Sequence, residues 1–241
     1  QPIVCLHTRD TAYLSKIFQN TPYENMDFSY HSYRNSSIDS YIKAAEWLQK
    51  EPQSAFIVRT GKVAKKRLSL SNKNYIDYPF CDNQNDLLDI WLFANANLVI
   101  STGTGPDYIS ASYKVPTIYL NFLPLGYSHS WSKCLHASKH LYWSESNRHL
   151  TLEEYTLANF LTTKEYKNMG IKIKDLSDDE ILDVIKDGWD YFVLNKKIKK
   201  QDIEATEIVK RILKNSSMHK ENNSFFNLYW YISSSFINSE K

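Results

Sequence analysis

Between Ile3 and Asn121 short apolar runs alternate with stretches that carry apolar residues at helical spacing, and this alternation narrows the fold more than any other feature of the chain. Strands are expected at Ile3 to Leu6, Ala55 to Arg59, Tyr75 to Tyr78, Leu98 to Ser101 and Pro116 to Asn121. Helices are expected between them at Ser37 to Gln49, Asn85 to Ala96 and Pro106 to Tyr113. In the first of these, Ile38, Tyr41, Ile42, Ala45 and Leu48 fall on one face. Strands alternating with helices of this length imply right-handed crossovers and hence an α/β fold with a parallel sheet flanked by helices. Ligands of such sheets bind beyond the carboxyl ends of the strands.

Beyond Asn121 the pattern changes. Phe122 to Arg148 is aromatic and irregular, with a short strand expected at His140 to Trp143. Thr151-Leu-Glu-Glu154 and Ser177-Asp-Asp-Glu180 have the spacing of a capping box, in which the N-cap hydroxyl and the Glu three residues on satisfy each other's backbone donors, so each should start a helix. A charged helix covers Lys200 to Leu213, and Asn215 to Lys241 is polar and rich in Ser and Asn apart from Phe225 to Tyr231. With no internal repeat and no Gly/Ser linker, one domain over residues 1–214 with terminal helices is expected, followed by a tail, 215–241, to which no structure is assigned.

Composition removes several function classes. A net charge of +2 on 241 residues shows no imbalance that would call for nucleic acid or another polyanion as partner. Cys5, Cys81 and Cys134 are odd in number and far apart, which disfavours a disulfide framework and a zinc site and points to a reducing, cytoplasmic setting. No run approaches the ~20 apolar residues of a membrane span and no signal peptide is visible, so a soluble chain, or one peripheral to the inner membrane, is expected. The chain starts at Gln1, without an initiator Met and almost directly in a strand; a fragment whose upstream half has been removed is the expectation.

Two stretches carry chemistry. In Asn97-Leu-Val-Ile-Ser-Thr-Gly-Thr-Gly-Pro-Asp107 an apolar run ends in hydroxyls and glycines before a helix begins. Glycine lets a ligand approach the main chain, and free N–H groups at a helix start favour an anion, so Thr102, Gly103, Thr104 and Gly105 are candidate phosphate-binding residues. Pro106 suits the first helical turn, and Asp107 either caps that turn or bonds a sugar hydroxyl. An ordinary strand-to-helix turn accounts for the same residues. The second stretch, His7-Thr-Arg-Asp10, follows the first strand: Arg9 offers a rigid fork of donors for a phosphate pair, with His7 and Asp10 placed to orient it or to handle protons. The alternative is a strand-end Arg9 paired to Asp10, with His7 packed on the sheet. Arg34 and Asn35, in Tyr30-His-Ser-Tyr-Arg-Asn35, are placed to line the same cleft, with Ser36 or Ser37 as helix N-cap. Arg59 and Lys62 flank Gly61 and read as solvated loop charges or phosphate ligands, and Pro124 to Trp131 as an aromatic wall or as core.

The segment Ser101 to Tyr119 resembles the nucleotide-sugar-binding turn of GT-B glycosyltransferases, notably the Thr-Gly-Pro-then-helix signature of the heptosyltransferase group. His7-Thr-Arg-Asp10, followed by Tyr33-Arg-Asn35 and the helix Ile38 to Leu48, resembles the His-x-Arg strand end of fucosyltransferase-like enzymes. As a whole, Val4 to about Leu152 looks most like a family of bacterial glycosyltransferases from surface-polysaccharide gene clusters, through Asp86-Leu-Leu-Asp-Ile-Trp91, Ile100-Ser-Thr-Gly-Thr-Gly105 and Asn121-Phe-Leu-Pro-Leu-Gly126. The resemblance implies the Rossmann-like, donor-binding C-terminal half of a GT-B enzyme, lacking its N-terminal acceptor-binding half. It implies Arg9 as the clamp of the donor diphosphate, a nucleotide-diphosphate-sugar as substrate, a glycan or lipid-linked acceptor, no cofactor and no metal. Asp175, Asp178 and Asp179 then stand at a helix start, where acidic residues belong in any case. Two other classes remain open. A dinucleotide-dependent oxidoreductase would want Gly-x-Gly-x-x-Gly after the first strand, which here ends in His-Thr-Arg-Asp. A non-catalytic carbohydrate-recognition module needs only aromatics and hydroxyls.

Overall fold

The structure, a computed structural model, describes residues 1–24, 27–214 and 229–237. Its strands are β1 (Ile3–His7), β2 (Phe56–Arg59), β3 (Tyr75–Asp77), β4 (Leu98–Ser101), β5 (Thr117–Phe122), β6 (Cys134–Ser138), β7 (His140–Trp143), β8 (Ile171–Lys174) and β9 (Trp230–Ile232). Its α-helices are α1 (Ala12–Ile17), α2 (Ile42–Gln49), α3 (Asp86–Asn95), α4 (Asp107–Ser112), α5 (Leu152–Leu157), α6 (Thr163–Asn168), α7 (Asp178–Phe192) and α8 (Lys200–Leu213). Seven strands form one all-parallel sheet in the order β3-β2-β1-β4-β5-β6-β9, and β7 pairs with β8 in a small antiparallel sheet.

Side-chain alternation along the central strands explains why both faces of the sheet are covered. Val4, Leu6, Ile57, Leu98 and Ile100 share a core with Ala45 and Leu48 of α2 and Ile181 and Ile185 of α7. Cys5, Val58 and Val99, on the opposite face, pack with Leu92 and Phe93 of α3 and with Val115. A strand buried on both sides reads as a continuous apolar run, which is why β1, β2 and β4 stand out in the sequence. Helices on both faces of a parallel sheet make this a Rossmann-like α/β fold.

Both capping boxes form as expected, at Thr151/Glu154 before α5 and at Ser177/Glu180 before α7. Other elements depart from the sequence pattern. The helix expected from Ser37 opens as a 3₁₀ turn, Ile38–Tyr41, with Ser37 Oγ accepting from the Asp39 N–H, and becomes α-helical only at Ile42. Within the stretch expected to be irregular, Cys134-Leu-His-Ala-Ser138 is a fully buried strand, and its polar His136 and Ser138 hide it from a hydrophobicity pattern. The expected tail contributes the sheet's edge strand. Asp202 and Thr206 of α8 hold that strand: Thr206 Oγ1 accepts from the Ile232 N–H (2.8 Å), and Asp202 Oδ1 accepts from the Ser234 N–H (2.8 Å) and hydroxyl (2.6 Å). Residues 215–228 and 238–241 of that segment lie outside the described residues. Among the described residues no helix is long and apolar enough to cross a membrane.

Candidate functional site

The chain leaves β1 toward β2 and β3 on one side and returns to β4 on the other, so the strand order reverses between β1 and β4. At such a reversal the two following loops diverge and leave a crevice at the carboxyl ends of the strands. The loops that open it are the two stretches singled out in the sequence. His7 sits opposite Ser101 in the β1–β4 register, the Thr102 N–H donates to the His7 carbonyl (3.2 Å), and the Arg9 N–H donates to Thr102 Oγ1 (2.9 Å). A cavity of about 460 Å³ lies beside them, lined by His7, Arg9, Asp10, Arg59, Thr60, Asp89, Phe93, Thr104 and Gly105 among others.

The glycine loop is braced from within. Gly103 has φ +81°, and a Cβ there would lie 2.6 Å from the Phe122 ring, so this position requires glycine both for its backbone and for space. The Gly103 N–H donates to Ser101 Oγ (3.2 Å), which in turn donates to Asp107 Oδ2 (2.9 Å). The same carboxylate oxygen accepts from the Thr104 N–H, and Arg34 Nη2 donates to the Gly103 carbonyl (2.6 Å). Of the four residues expected to bind a phosphate, Thr102, Gly103 and Thr104 therefore have their amides engaged inside the protein. Gly105 is different: it lines the cavity, and a Cβ there would meet nothing within 4 Å.

Asp107 is fully buried and braces the loop from behind through Ser101 and Thr104; the helix turn it begins has no side-chain cap and Asp107 does not line the cavity, so neither of its two expected roles, helix cap or sugar ligand, is the one it takes. Burial pushes its carboxyl up to about 7, against the opposing pull of the Thr104 and Ser101 hydrogen bonds and of the Arg34 charge. Thr102 and Gly103 likewise stand behind the cavity wall. Arg34 acts on the loop through Gly103, and the Asn35 carbonyl accepts from Lys139 Nζ; neither lines the cavity.

Among the described residues Arg9 has no counterion. Its Nε is buried without a hydrogen-bond partner, and none of the ion pairs among the described residues includes Arg9 or Arg34. The pairing of Arg9 with Asp10 is not formed. Asp10 accepts instead from the Ala12 N–H (2.7 Å) and the Lys65 N–H (2.9 Å), shaping the turn into α1. Burial, and next the neighbouring Arg34 charge, lower the pKa of Arg9 from its ordinary value. An uncompensated guanidinium on the wall of a crevice is an arrangement that an anion stabilises.

Chain-wide comparison with protein-family models, curated proteins and solved structures finds no match.

The remaining residues around the cavity are held for structural reasons. His7 packs edge-on against Phe93 (5.6 Å between centroids) and shares a 3.0 Å hydrogen bond with Thr60 Oγ1. Burial lowers its pKa to about 4, so it is neutral near pH 7 and a weak base. Arg59 is buried in an ion pair with Asp77 (3.3 Å), not solvated, whereas Lys62 pairs with Asp86 at the surface. Of the expected aromatic wall, His129 is buried with its Nδ1 2.7 Å from the Tyr119 hydroxyl, and Trp131 stacks on it (4.9 Å). Tyr108 of α4, which the sequence pattern marks only as a helical residue, lies parallel to Trp131 and is exposed. Phe93 and Thr60 carry no functional signal in the sequence, and Asp89 enters there only within Asp86 to Trp91; it sits one turn inside α3, where only the tertiary fold turns it to the crevice. Among the described residues there is no group of three or more His, Cys, Asp or Glu placed to hold a metal ion.

Proposed function

We propose that this chain is the donor-binding unit of a glycosyltransferase, holding a nucleotide-diphosphate-sugar in the β1–β4 crevice for transfer to a glycan or lipid-linked acceptor. The observation that carries the proposal is Arg9: a guanidinium without a counterion among the described residues, its Nε unpartnered, on the wall of a cavity of about 460 Å³ at the strand-order reversal. That volume lies in the range of small-ligand pockets. In this reading Arg9 stabilises the charge that grows on the diphosphate as its bond to the sugar breaks, with the guanidinium already in place beforehand. Gly105 gives a phosphate room against the backbone. His7, with a pKa near 4, and Asp10, engaged with Ala12 and Lys65, serve the strand end and not acceptor deprotonation.

Titration of the chain against UDP, GDP, ADP and CMP derivatives tests the reading. Tight binding of one nucleoside diphosphate is expected, and Arg9→Ala should weaken it roughly 10- to 100-fold, the worth of about 1.5–3 kcal/mol for a hydrogen bond to a charged group. An unchanged affinity in a folded Arg9→Ala protein overturns the assignment. The exposed Tyr108–Trp131 stack favours a second reading, a carbohydrate-recognition module, which predicts sugar binding without nucleotide.

Metal removal is a further check. If the Arg9 side chain carries the leaving-group charge, EDTA leaves nucleoside-diphosphate affinity unchanged; a strict requirement for Mg²⁺ or Mn²⁺ counts against this use of Arg9.

A further inference from the structure

Asp107 lies directly beneath the loop that faces the cavity, and its two carboxyl oxygens are in unlike surroundings. Oδ2 accepts from Ser101 Oγ and from the Thr104 N–H, while Oδ1 is buried with no hydrogen-bond partner. An ionised carboxylate with one oxygen unpartnered in the interior is costly; a neutral carboxyl that keeps Oδ2 as acceptor and carries its hydrogen on Oδ1 is less so. The same carboxyl sits behind Thr104 and Gly105, where a bound anion would add a second negative charge at short range.

We infer that Asp107 is a proton-linked positioning residue of the anion site: the loop holds its ligand with the Asp107 carboxyl neutral, so that binding an anion takes up a proton. The inference rests on the anion site proposed above. The charged and titratable groups around Asp107 are consistent with it. The Thr104 and Ser101 hydrogen bonds, and after them the charge of Arg34 from the 3₁₀ turn at 29–34, oppose the upward push of burial on the carboxyl. On β5 the buried Tyr119 phenol has its pKa raised well above the ordinary value, and His129, near Arg34, has its own lowered to about 4. His31, near both arginines, is also shifted downward, and His7 on β1 lies near 4. These histidines are neutral above pH 7, whereas Asp107, pushed to about 7, changes charge there.

Inorganic sulfate is the probe, since it mimics a phosphate and carries no proton of its own near neutrality. Sulfate is titrated at constant ionic strength at pH 6, 7 and 8, with binding followed at the Gly105 amide resonance. In the wild type, affinity should be highest at pH 6 and should fall between pH 7 and 8, by up to about tenfold per pH unit, the limit for one linked proton. Calorimetry of the wild type in two buffers of different ionisation enthalpy should show net proton uptake at pH 7. Asp107→Asn, which keeps the acceptor and cannot ionise, should bind sulfate with no pH dependence over this range. A wild-type affinity that does not change with pH, or a wild-type pH dependence that persists in Asp107→Asn, overturns the inference while leaving the anion site standing. No sulfate-dependent shift at any pH overturns the anion site, and this inference with it. The wild-type calorimetry decides the matter if Asp107→Asn does not fold.

Discussion

Gly103→Ala is expected to lower unfolding free energy by about 2–5 kcal/mol, because the substitution meets two separate obstacles. A residue with a Cβ held at positive φ costs about 1–2 kcal/mol, and overpacking a well-filled site adds about 1–3 kcal/mol. Both apply at Gly103, with φ +81° and a Cβ that would lie 2.6 Å from Phe122. The Phe122 ring has little room to yield, since it packs against Tyr119, His129 and His136. Gly105→Val should behave in the opposite way. Nothing lies within 4 Å of its Cβ position, so the melt should hardly move, but the branched side chain stands at the cavity wall and should block the ligand. Denaturant unfolding and nucleotide titration on both variants separate them. If Gly105→Val melts like the wild type and binds like it too, the loop has no ligand role. If Gly103→Ala is as stable as the wild type, the conformational requirement derived from Phe122 is wrong.

Acid should destabilise the fold well above the ordinary carboxylate range. Burial lowers His7 and His129 to about 4 and His136 well below its ordinary value, so between pH 6.5 and 4 the unfolded chain binds protons that the folded chain refuses. Stability from these groups is fully present above pH 6.5 and is lost as pH falls toward 4. Asp107 works in the other direction. Its folded pKa of about 7 lies above the unfolded value, so over the same window the folded state holds one extra proton. Three histidines against one carboxyl leave about two protons, or roughly 2–3 kcal/mol lost per pH unit near pH 5 from these groups. Denaturant unfolding at pH 7.5, 6 and 5 measures the slope. A stability that is flat or rises as pH falls would mean that these histidines are not held neutral in the fold.

The legible parts of this protein are those decided by neighbours along the chain. The apolar runs of β1, β2 and β4 are continuous because each strand is covered on both faces, and the two capping boxes are closed by residues three apart. The strand-end position of Arg9 and of the glycine loop follows from those runs, whereas their convergence at the β1–β4 reversal comes from the pairing of β1 with β4. β6 and β9 were not legible, since one carries His136 and Ser138 inside the sheet and the other lies in a stretch of polar composition.

What the sequence alone determined is thus the α/β class, the parallel sheet and the placing of the two loops at strand ends, since hydrophobic period and capping act over one or two turns. The tertiary structure alone decided which charges are compensated and which backbone groups are spent. Arg59 finds Asp77 in the interior while Arg9 finds no carboxylate, although both are arginines at the ends of neighbouring strands. Arg34 reaches Gly103 across 69 positions, and Asp107 takes up the Thr104 amide, one of those expected to hold a phosphate. Burial sets the cost of a charge, and burial at each of these sites is assembled from segments far apart in the chain.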